Sequence, residues 1–153
     1  MATEATLVEI IDGGRMLLKR ATRGISRGMW NGLGGKIESG ESPEQSAIRE
    51  SFEESGLRVS NLFYHGVINF HNNGKEEVDF AVHLFSTKDF EGSLAESDEG
   101  ELRWFPVDML PLREMWKDDE IWIPLLLNSE RFDADFYFDE NNKNILKYDI
   151  KKK

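Results

Sequence analysis

Three glutamates lie close together in the sequence: Glu50, Glu53 and Glu54. Residues three or four positions apart share one face of an α-helix, so a helix here would present a single acidic surface. Like charges at this spacing repel, and the helix dipole disfavours negative charge near a carboxyl end. Binding of a divalent cation would remove that conflict, and Mg²⁺ commonly bridges carboxylates to substrate phosphates. The same residues could instead form a solvated acidic face.

The helix that would carry these glutamates has clear boundary signals. Ser42 and Gln45 form a capping box, Pro43 occupies the favoured first position, and Gly56 supplies a left-handed end. The pattern predicts a helix from about Pro43 to Ser55. We expect the side opposite the carboxylates to pack on the rest of the protein, through Ala47, Ile48, Ser51 and Phe52.

The segment that contains this helix resembles the signature of the Nudix hydrolases, G-x5-E-x7-R-E-U-x-E-E-x-G-U, where U is a bulky aliphatic residue. All its glycine and charged positions are matched, by Gly35, Glu41, Arg49, Glu50, Glu53, Glu54 and Gly56. Ser51 departs from the signature, because it stands at the first U position. A serine there can bond back to the carbonyl one turn earlier, so we expect slightly weaker packing and unaffected metal ligands.

The resemblance implies an α/β fold, an α/β/α sandwich with a mixed β-sheet, and hydrolysis that depends on Mg²⁺, with Mn²⁺ as a possible substitute. It implies one to three ions held by the Gly35 carbonyl, Glu50, Glu53, Glu54 and Glu99. Glu50 or Glu53 would be the general base, and Arg49 would orient Glu41 or Glu50 through a charged pair. Water would attack the β-phosphorus of a nucleoside triphosphate, giving a nucleoside monophosphate and pyrophosphate.

Residues outside the signature indicate the substrate. They are Trp30-Asn31-Gly32, Glu96-Ser97-Asp98-Glu99, Met115 to Asp119 and Trp122 to Leu127. With them the chain is similar to the MutT branch, and particularly to its mammalian enzymes that hydrolyse oxidised purine nucleoside triphosphates such as 8-oxo-dGTP. The similarity extends from about Thr6 to Asp149.

This similarity implies a base pocket. Asn31, Asp118 and Asp119 would contact the base edge, Phe70 and Trp116 its faces, and Thr6, Lys19 and Phe80 the surrounding pocket. An oxidised guanine offers several N–H donors, which suit carboxylate and amide acceptors, and aromatic rings add stacking. Two adjacent carboxylates cannot both ionise freely, so we expect one of the pair to have a raised pKa.

Other interpretations of these residues stay open at this point. Asp118 or Asp119 could cap the second helix, and Trp116 and Phe70 could be ordinary core residues. The chain could be a Nudix hydrolase of another nucleoside diphosphate derivative, or a non-catalytic module that senses a nucleotide.

Composition limits the possible partners. The 153 residues predict a single domain, 1–153, and the formal net charge of −10 argues against binding a nucleic acid polymer. The sequence has no cysteine, secretory signal pattern or membrane-length apolar run. We therefore expect a cytoplasmic monomer that acts on the free nucleotide pool and so serves DNA repair. The basic residues Lys19, Arg20, Arg23 and Arg27 could face phosphates or belong to a solvated loop.

Alternating apolar residues and turn signals predict the remaining elements. The predicted strands are Thr6 to Ile11, Arg15 to Arg20, Arg58 to His71, Glu76 to Thr87, Glu101 to Pro106, Phe132 to Phe138 and Ile145 to Ile150. A second helix is predicted from Asp119 to Arg131, and the tail from Lys151 to Lys153 is expected to fray.

Overall fold

A mixed β-sheet forms the centre of the protein in the computed structural model, which describes residues 2–95 and 100–153. Its strands are β1 (Thr3–Asp12), β2 (Arg15–Ala21), β3 (Trp30–Asn31), β4 (Leu33–Lys36), β6 (Phe63–His71), β7 (Phe80–Thr87), β9 (Gly100–Pro106), β10 (Phe132–Phe138) and β11 (Ile145–Lys152). A small separate sheet contains β5 (Arg58–Ser60) and β8 (Asp89–Glu91). The helices are α1 (Pro43–Ser55) and α2 (Asp119–Leu127), with a 3₁₀ turn at Leu112–Glu114.

The strand order of the main sheet is β11-β10-β6-β7-β1-β2-β3. β1 runs parallel to β7 and β10 runs parallel to β6, while the other pairs are antiparallel. β4 pairs with the first half of β1, and β9 pairs with β2. This arrangement brings the glycine-rich β4 directly between β1 and α1.

Side chains that alternate along each strand divide the core into two layers. On β2, Leu17 packs in the cluster on the α1 side, and its neighbour Leu18 packs in the cluster on the α2 side. Trp30 and Trp122 are almost fully buried in the α2-side cluster. A mixed sheet between two helical layers is the α/β/α arrangement that the sequence predicted, and this prediction is confirmed.

Several predicted boundaries were wrong, and one of them is the start of the strand predicted from Glu76, since β7 begins at Phe80. Helix α2 ends at Leu127 rather than Arg131, because Ser129 adopts a left-handed conformation with φ 56°. The predicted long strand from Arg58 is interrupted at Asn61, which has φ 51°, and its first part pairs with β8 instead. The tail does not fray, since Lys151 and Lys152 pair with β10 as part of β11. The predicted span of α1 is confirmed.

Among the described residues, no helix has both the length and the apolar character required to cross a membrane.

Candidate active site

Helix α1 begins and ends as its sequence requires. The Ser42 hydroxyl accepts a hydrogen bond from the Gln45 backbone N–H at 3.1 Å, and the Gln45 side chain accepts one from the Ser42 N–H at 2.9 Å. Gly56 adopts φ 81°, and its N–H donates to the Phe52 carbonyl. The capping box and the glycine end therefore fix the position of the acidic face along the chain.

The packing face of α1 differs from the prediction. Ala47 and Ser51 are buried, but Ile48 and Phe52 are 38% and 44% exposed. The buried face is instead made of small residues together with Glu54. Small side chains let the helix approach the β4 backbone closely. Glu54 therefore lies against the backbone of β4 rather than in solvent. The Ser51 hydroxyl has no hydrogen-bond partner among the described residues, so its predicted bond to the preceding turn was wrong.

Glu50 lies directly against the backbone of Gly35. A Cβ atom on Gly35 would be 2.7 Å from the Glu50 carboxyl carbon, so no side chain fits there without moving the glutamate. The Gly35 carbonyl accepts a 3.5 Å hydrogen bond from the Thr6 hydroxyl. The structure thus brings Gly35, whose carbonyl is a predicted ligand, against one predicted carboxylate ligand, Glu50.

Glu54 is only 5% exposed and lies between two donors. The Gly34 N–H donates to one carboxylate oxygen at 2.9 Å, and Lys19 forms an ion pair with the other. Burial raises the pKa of Glu54, and the Lys19 charge and the Gly34 hydrogen bond oppose that rise. Lys19, predicted near the substrate, therefore neutralises a predicted metal ligand in this structure.

Arg49 links the acidic residues of α1 to the preceding loop. Its guanidinium donates to Glu41 at 2.7 and 3.0 Å, to Glu50 at 2.9 Å and to Glu53 at 2.9 Å. These contacts raise the pKa of Arg49, and they hold the pKa of Glu41 at about 2. Arg49 thus contacts both candidate general bases, as an orienting residue would.

These residues fit a divalent cation by their chemistry. Glu50, Glu53 and Glu54 are hard oxygen donors on one helix, and Lys19 and Arg49 provide the positive charge that balances them. Within residues 2–95 and 100–153, no three acidic or histidine side chains already converge as a metal site. The fifth predicted ligand, Glu99, lies outside the described residues.

A cavity of about 380 Å³ opens beside this acidic face, on the α2 side of the sheet. Gly34, Gly35 and Lys19 line it, and so do Asp118 and Asp119. Its remaining lining includes the predicted residues Thr6, Asn31, Phe70, Phe80 and Trp116. All eight residues predicted to bind substrate therefore border one cavity. It also has a wall that the sequence did not predict, formed by Leu7, Ala21, Ile25, Ser26, Val82, Phe138 and Asn142.

Neighbouring side chains contact the aromatic residues of the cavity. The Trp116 indole N–H donates to the Ser26 hydroxyl at 3.2 Å, and its ring packs edge-on against Phe138. Phe70 stacks on Phe136, and Phe80 remains 39% exposed. Thr6 contributes differently, because its hydroxyl lies 3.3 Å from the hydroxyl of Ser46 on α1. These rings leave flat apolar surface available for stacking.

Asp118 and Asp119 are only 2% and 5% exposed. One Asp118 oxygen accepts from the Trp122 indole N–H at 2.7 Å, and the other has no partner among the described residues. Asp118 makes no side-chain capping bond to α2, which removes the main support for a capping role. A buried, unpaired carboxylate oxygen beside a cavity is a strong acceptor for a ligand.

The two aspartates do not ionise alike. Burial raises the pKa of Asp118 to about 6, against the Trp122 hydrogen bond. Burial also raises the pKa of Asp119 well above its usual range, and the negative charges of Asp118 and Glu9 raise it further. The hydrogen bond between the two side chains lowers the pKa of Asp118 and raises that of Asp119. The pair therefore holds a proton more tightly than isolated carboxyl groups do, and the repulsion from neighbouring charges acts on Asp119.

Comparison with known proteins identifies the family. A model of the NUDIX domain matches residues 2–126. The chain belongs to the Nudix family. The oxidized purine nucleoside triphosphate hydrolase of Danio rerio is 46% identical over 133 residues, which span 87% of this chain and 85% of that protein. The enzyme of the same name from Mus musculus is 40% identical over 146 residues, spanning 95% and 92%.

Solved Nudix structures agree with this assignment. A MutT protein from Bacillus halodurans superposes with a TM-score of 0.86, covers 97% of each chain and is 26% identical. The Nudix membership predicted from the signature is thereby confirmed. The α1 acidic residues and the Gly35 backbone accordingly lie on the segment that carries the Nudix signature.

Proposed function

We propose that this Nudix protein hydrolyses oxidised purine nucleoside triphosphates, of the 8-oxo-dGTP type, to the nucleoside monophosphate and pyrophosphate. The observation that carries the proposal is that a single cavity is lined both by the Asp118–Asp119 pair and by Gly34 and Gly35, and that Gly35 lies against Glu50 of the acidic helix. A base bound at the aspartate pair would direct its phosphates toward Gly34 and Gly35. The names of the Danio rerio and Mus musculus relatives support the same substrate class.

The base end supplies both polarity and stacking. The free Asp118 oxygen can accept from an N–H of the base edge, and Asp119, when it is protonated and its hydrogen bond to Asp118 is broken, can donate to a carbonyl or ring nitrogen. Asn31 lines the same cavity and can supply both an acceptor and a donor. A site of this kind suits oxidised purines, whose edges combine donors and acceptors.

The phosphate end holds the hydrolytic residues. Bound Mg²⁺ would neutralise phosphate charge and make a water molecule more acidic, with Gly35, Glu50, Glu53 and Glu54 as its protein ligands and Glu99 as a further ligand. Arg49 orients Glu50 and Glu53, either of which would accept the proton of the attacking water. Lys19 lies at the cavity edge, where its ammonium can contact phosphate when it is not paired with Glu54.

The proposal includes the setting in which the protein acts. The chain would work as one domain and as a monomer in the cytoplasm, on free nucleotides rather than on nucleic acid polymers.

A panel of unmodified and oxidised nucleoside triphosphates, each assayed with Mg²⁺ and with Mn²⁺, tests the proposal. We expect kcat/KM to be highest for an oxidised purine, with pyrophosphate as a product. Asp118→Asn and Asp119→Asn should change kcat/KM for oxidised guanine and oxidised adenine substrates by unequal factors, at least one exceeding about tenfold. Glu120→Gln is the matched control, because Glu120 is an exposed carboxylate next to the pair.

The other outcomes identify other functions. Sugar phosphate release from a nucleoside diphosphate sugar, without triphosphate turnover, would indicate a different Nudix substrate. Nucleotide binding without any Mg²⁺-dependent product would indicate a sensor. Equal effects of both substitutions on all substrates, with a stability loss of about 1 kcal/mol, would make the pair structural.

A further inference from the structure

Lys19 belongs both to the cavity and to the group of predicted metal ligands. It lines the cavity, and in the part of the chain that the structure describes it is the only cationic side chain that does so. Its ammonium forms an ion pair with one carboxylate oxygen of Glu54, while the Gly34 N–H donates to the other oxygen at 2.9 Å. Both partners are largely buried, since 16% of the Lys19 side chain and 5% of the Glu54 side chain is exposed. Each oxygen of a predicted metal ligand is therefore already bonded within the protein.

The position of Lys19 on β2 explains these two contacts. Leu17 packs in the cluster on the α1 side, so alternation places Lys19, two residues later, on the same face. The backbone of Lys19 pairs with Asn31 on β3, which also lines the cavity. A lysine ammonium is carried on a flexible chain of four carbons, and it can change partners without a change in the backbone. Lys19 can thus move between Glu54 and a ligand in the cavity.

The ion pair stabilises a carboxylate that would otherwise be costly to bury. Burial raises the pKa of Glu54, and the charge and hydrogen bond of Lys19 oppose that rise. Mg²⁺ bound to Glu54 would supply the same compensation from a distance of about 2.0–2.1 Å. Two cations at one carboxylate repel each other, and the repulsion is strong where solvent is excluded. Lys19 and Mg²⁺ are therefore alternative partners of Glu54.

Arg49, the other cation of the site, is held differently. Its guanidinium donates to Glu41 at 2.7 and 3.0 Å, and Glu41 is not a predicted metal ligand. Arg49 does not line the cavity. Binding of a metal ion by the α1 carboxylates would leave this contact with Glu41 in place, so Arg49 keeps an anchor that Lys19 lacks.

We propose that Lys19 is an exchangeable counter-ion of Glu54. It neutralises the carboxylate before Mg²⁺ binds, and it is displaced into the cavity, where it contacts the triphosphate, once Glu54 holds Mg²⁺. The inference rests on the proposed function and deepens it, because it assigns the coupling between metal binding and phosphate binding to one side chain. Lys19 opposes the first event and favours the second.

Replacement of Lys19 separates this exchange from a simple phosphate contact. Without the lysine, a metal ion does not have to displace a cation from Glu54, so metal binding should be tighter. The triphosphate would lose a cationic partner, so phosphate binding should be weaker. A lysine that only contacted phosphate would leave metal binding unchanged, and a purely structural lysine would weaken both.

Mn²⁺ alone and inorganic tripolyphosphate are the probes, and neither requires turnover. Mn²⁺ binding is followed by the electron paramagnetic resonance signal of the free ion, and tripolyphosphate binding by calorimetry at saturating Mg²⁺. For Lys19→Met we expect the Kd for Mn²⁺ to fall at least about fivefold and the Kd for tripolyphosphate to rise at least about fivefold, as for one charged hydrogen bond. Lys19→Gln, which keeps a neutral donor for Glu54, should change both values in the same directions, and it is the second variant if Lys19→Met does not fold.

Lys36→Met is the matched control, because Lys36 is an exposed lysine next to Gly35. Both of its Kd values should stay within about twofold of the wild type, since exposed charges are screened. Unchanged or weaker Mn²⁺ binding in the Lys19 variants would overturn the exchange, and so would tighter Mn²⁺ binding with unchanged tripolyphosphate binding. An equal fall of the Mn²⁺ Kd in Lys36→Met would also overturn it, because net charge alone would then account for the effect. Failure of the proposed function would appear separately, as absence of oxidised-purine turnover in the wild type.

Discussion

Replacement of Glu9 by glutamine should change how the stability of the protein depends on pH. Burial raises the pKa of Glu9 from an ordinary value of 4.5 to about 8 in the folded state. The folded protein therefore holds a proton that the unfolded chain releases between these values. The stabilising contribution of that proton is fully present below pH 4.5 and is lost as pH rises toward 8. The glutamine side chain would stay neutral throughout, so the variant should show no such loss.

The size of the effect follows from the two pKa values. Each pKa unit between the folded and unfolded states corresponds to about 1.36 kcal/mol, so the rise from 4.5 to about 8 corresponds to about 5 kcal/mol. Glu9 is 1% exposed, so solvent screening removes little of this. A domain of ordinary stability, with about 5 to 15 kcal/mol in total, would register such a change clearly.

Urea unfolding at several pH values is the direct measurement. Between about pH 5 and pH 7.5, the free energy of unfolding of Glu9→Gln should gain about 3 kcal/mol relative to the wild type. Glu120→Gln is a useful control, because Glu120 is an exposed carboxylate. It should leave the pH dependence unchanged. A relative gain below about 1 kcal/mol for Glu9→Gln would mean that Glu9 ionises in the folded state at little cost, and the reasoning would fail.

Local sequence signals predicted α1 and β10 at both ends, but several ends of other elements were predicted poorly. The α1 boundaries depend on Ser42, Gln45 and Gly56, which act within a few residues of each other. The tail from Lys151 was expected to fray because lysines are polar and terminal, yet its backbone pairs with β10. That pairing depends on a strand distant in sequence, so no local pattern encodes it.

The residues of the candidate site show the same contrast between local sequence signals and contacts that are distant in sequence. Acidic spacing placed Glu50, Glu53 and Glu54 on one helix, but burial of Glu54 depends on contacts with Gly34 and Lys19. The one clue to Glu9 in the sequence was its place between Leu7 and Ile11 on an alternating strand. A charged residue at an inward position is a reason to look for a function, and strand prediction alone did not draw attention to it.

Three further predictions concern α1 and its contact with the β4 backbone. Glu53→Gln should reduce kcat to less than about a tenth of the wild-type value, because it removes a proposed metal ligand. It should not lower Tm, because it relieves repulsion between acidic side chains on α1. Higher residual activity would contradict the role of Glu53 as a ligand. Ser51→Ala should raise the urea-unfolding free energy by up to about 1 kcal/mol, because the buried hydroxyl has no described partner; a loss of stability would show that the hydroxyl is bonded. Gly35→Ala should lower kcat more than tenfold, because the new Cβ would lie 2.7 Å from the Glu50 carboxyl carbon and displace it. Gly40→Ala is the control. A Cβ atom on exposed Gly40 would meet no atom within 4 Å, but the residue has φ 82°, so this substitution should lower stability without changing kcat. If Gly35→Ala also leaves kcat intact, the position of Glu50 is not critical for hydrolysis.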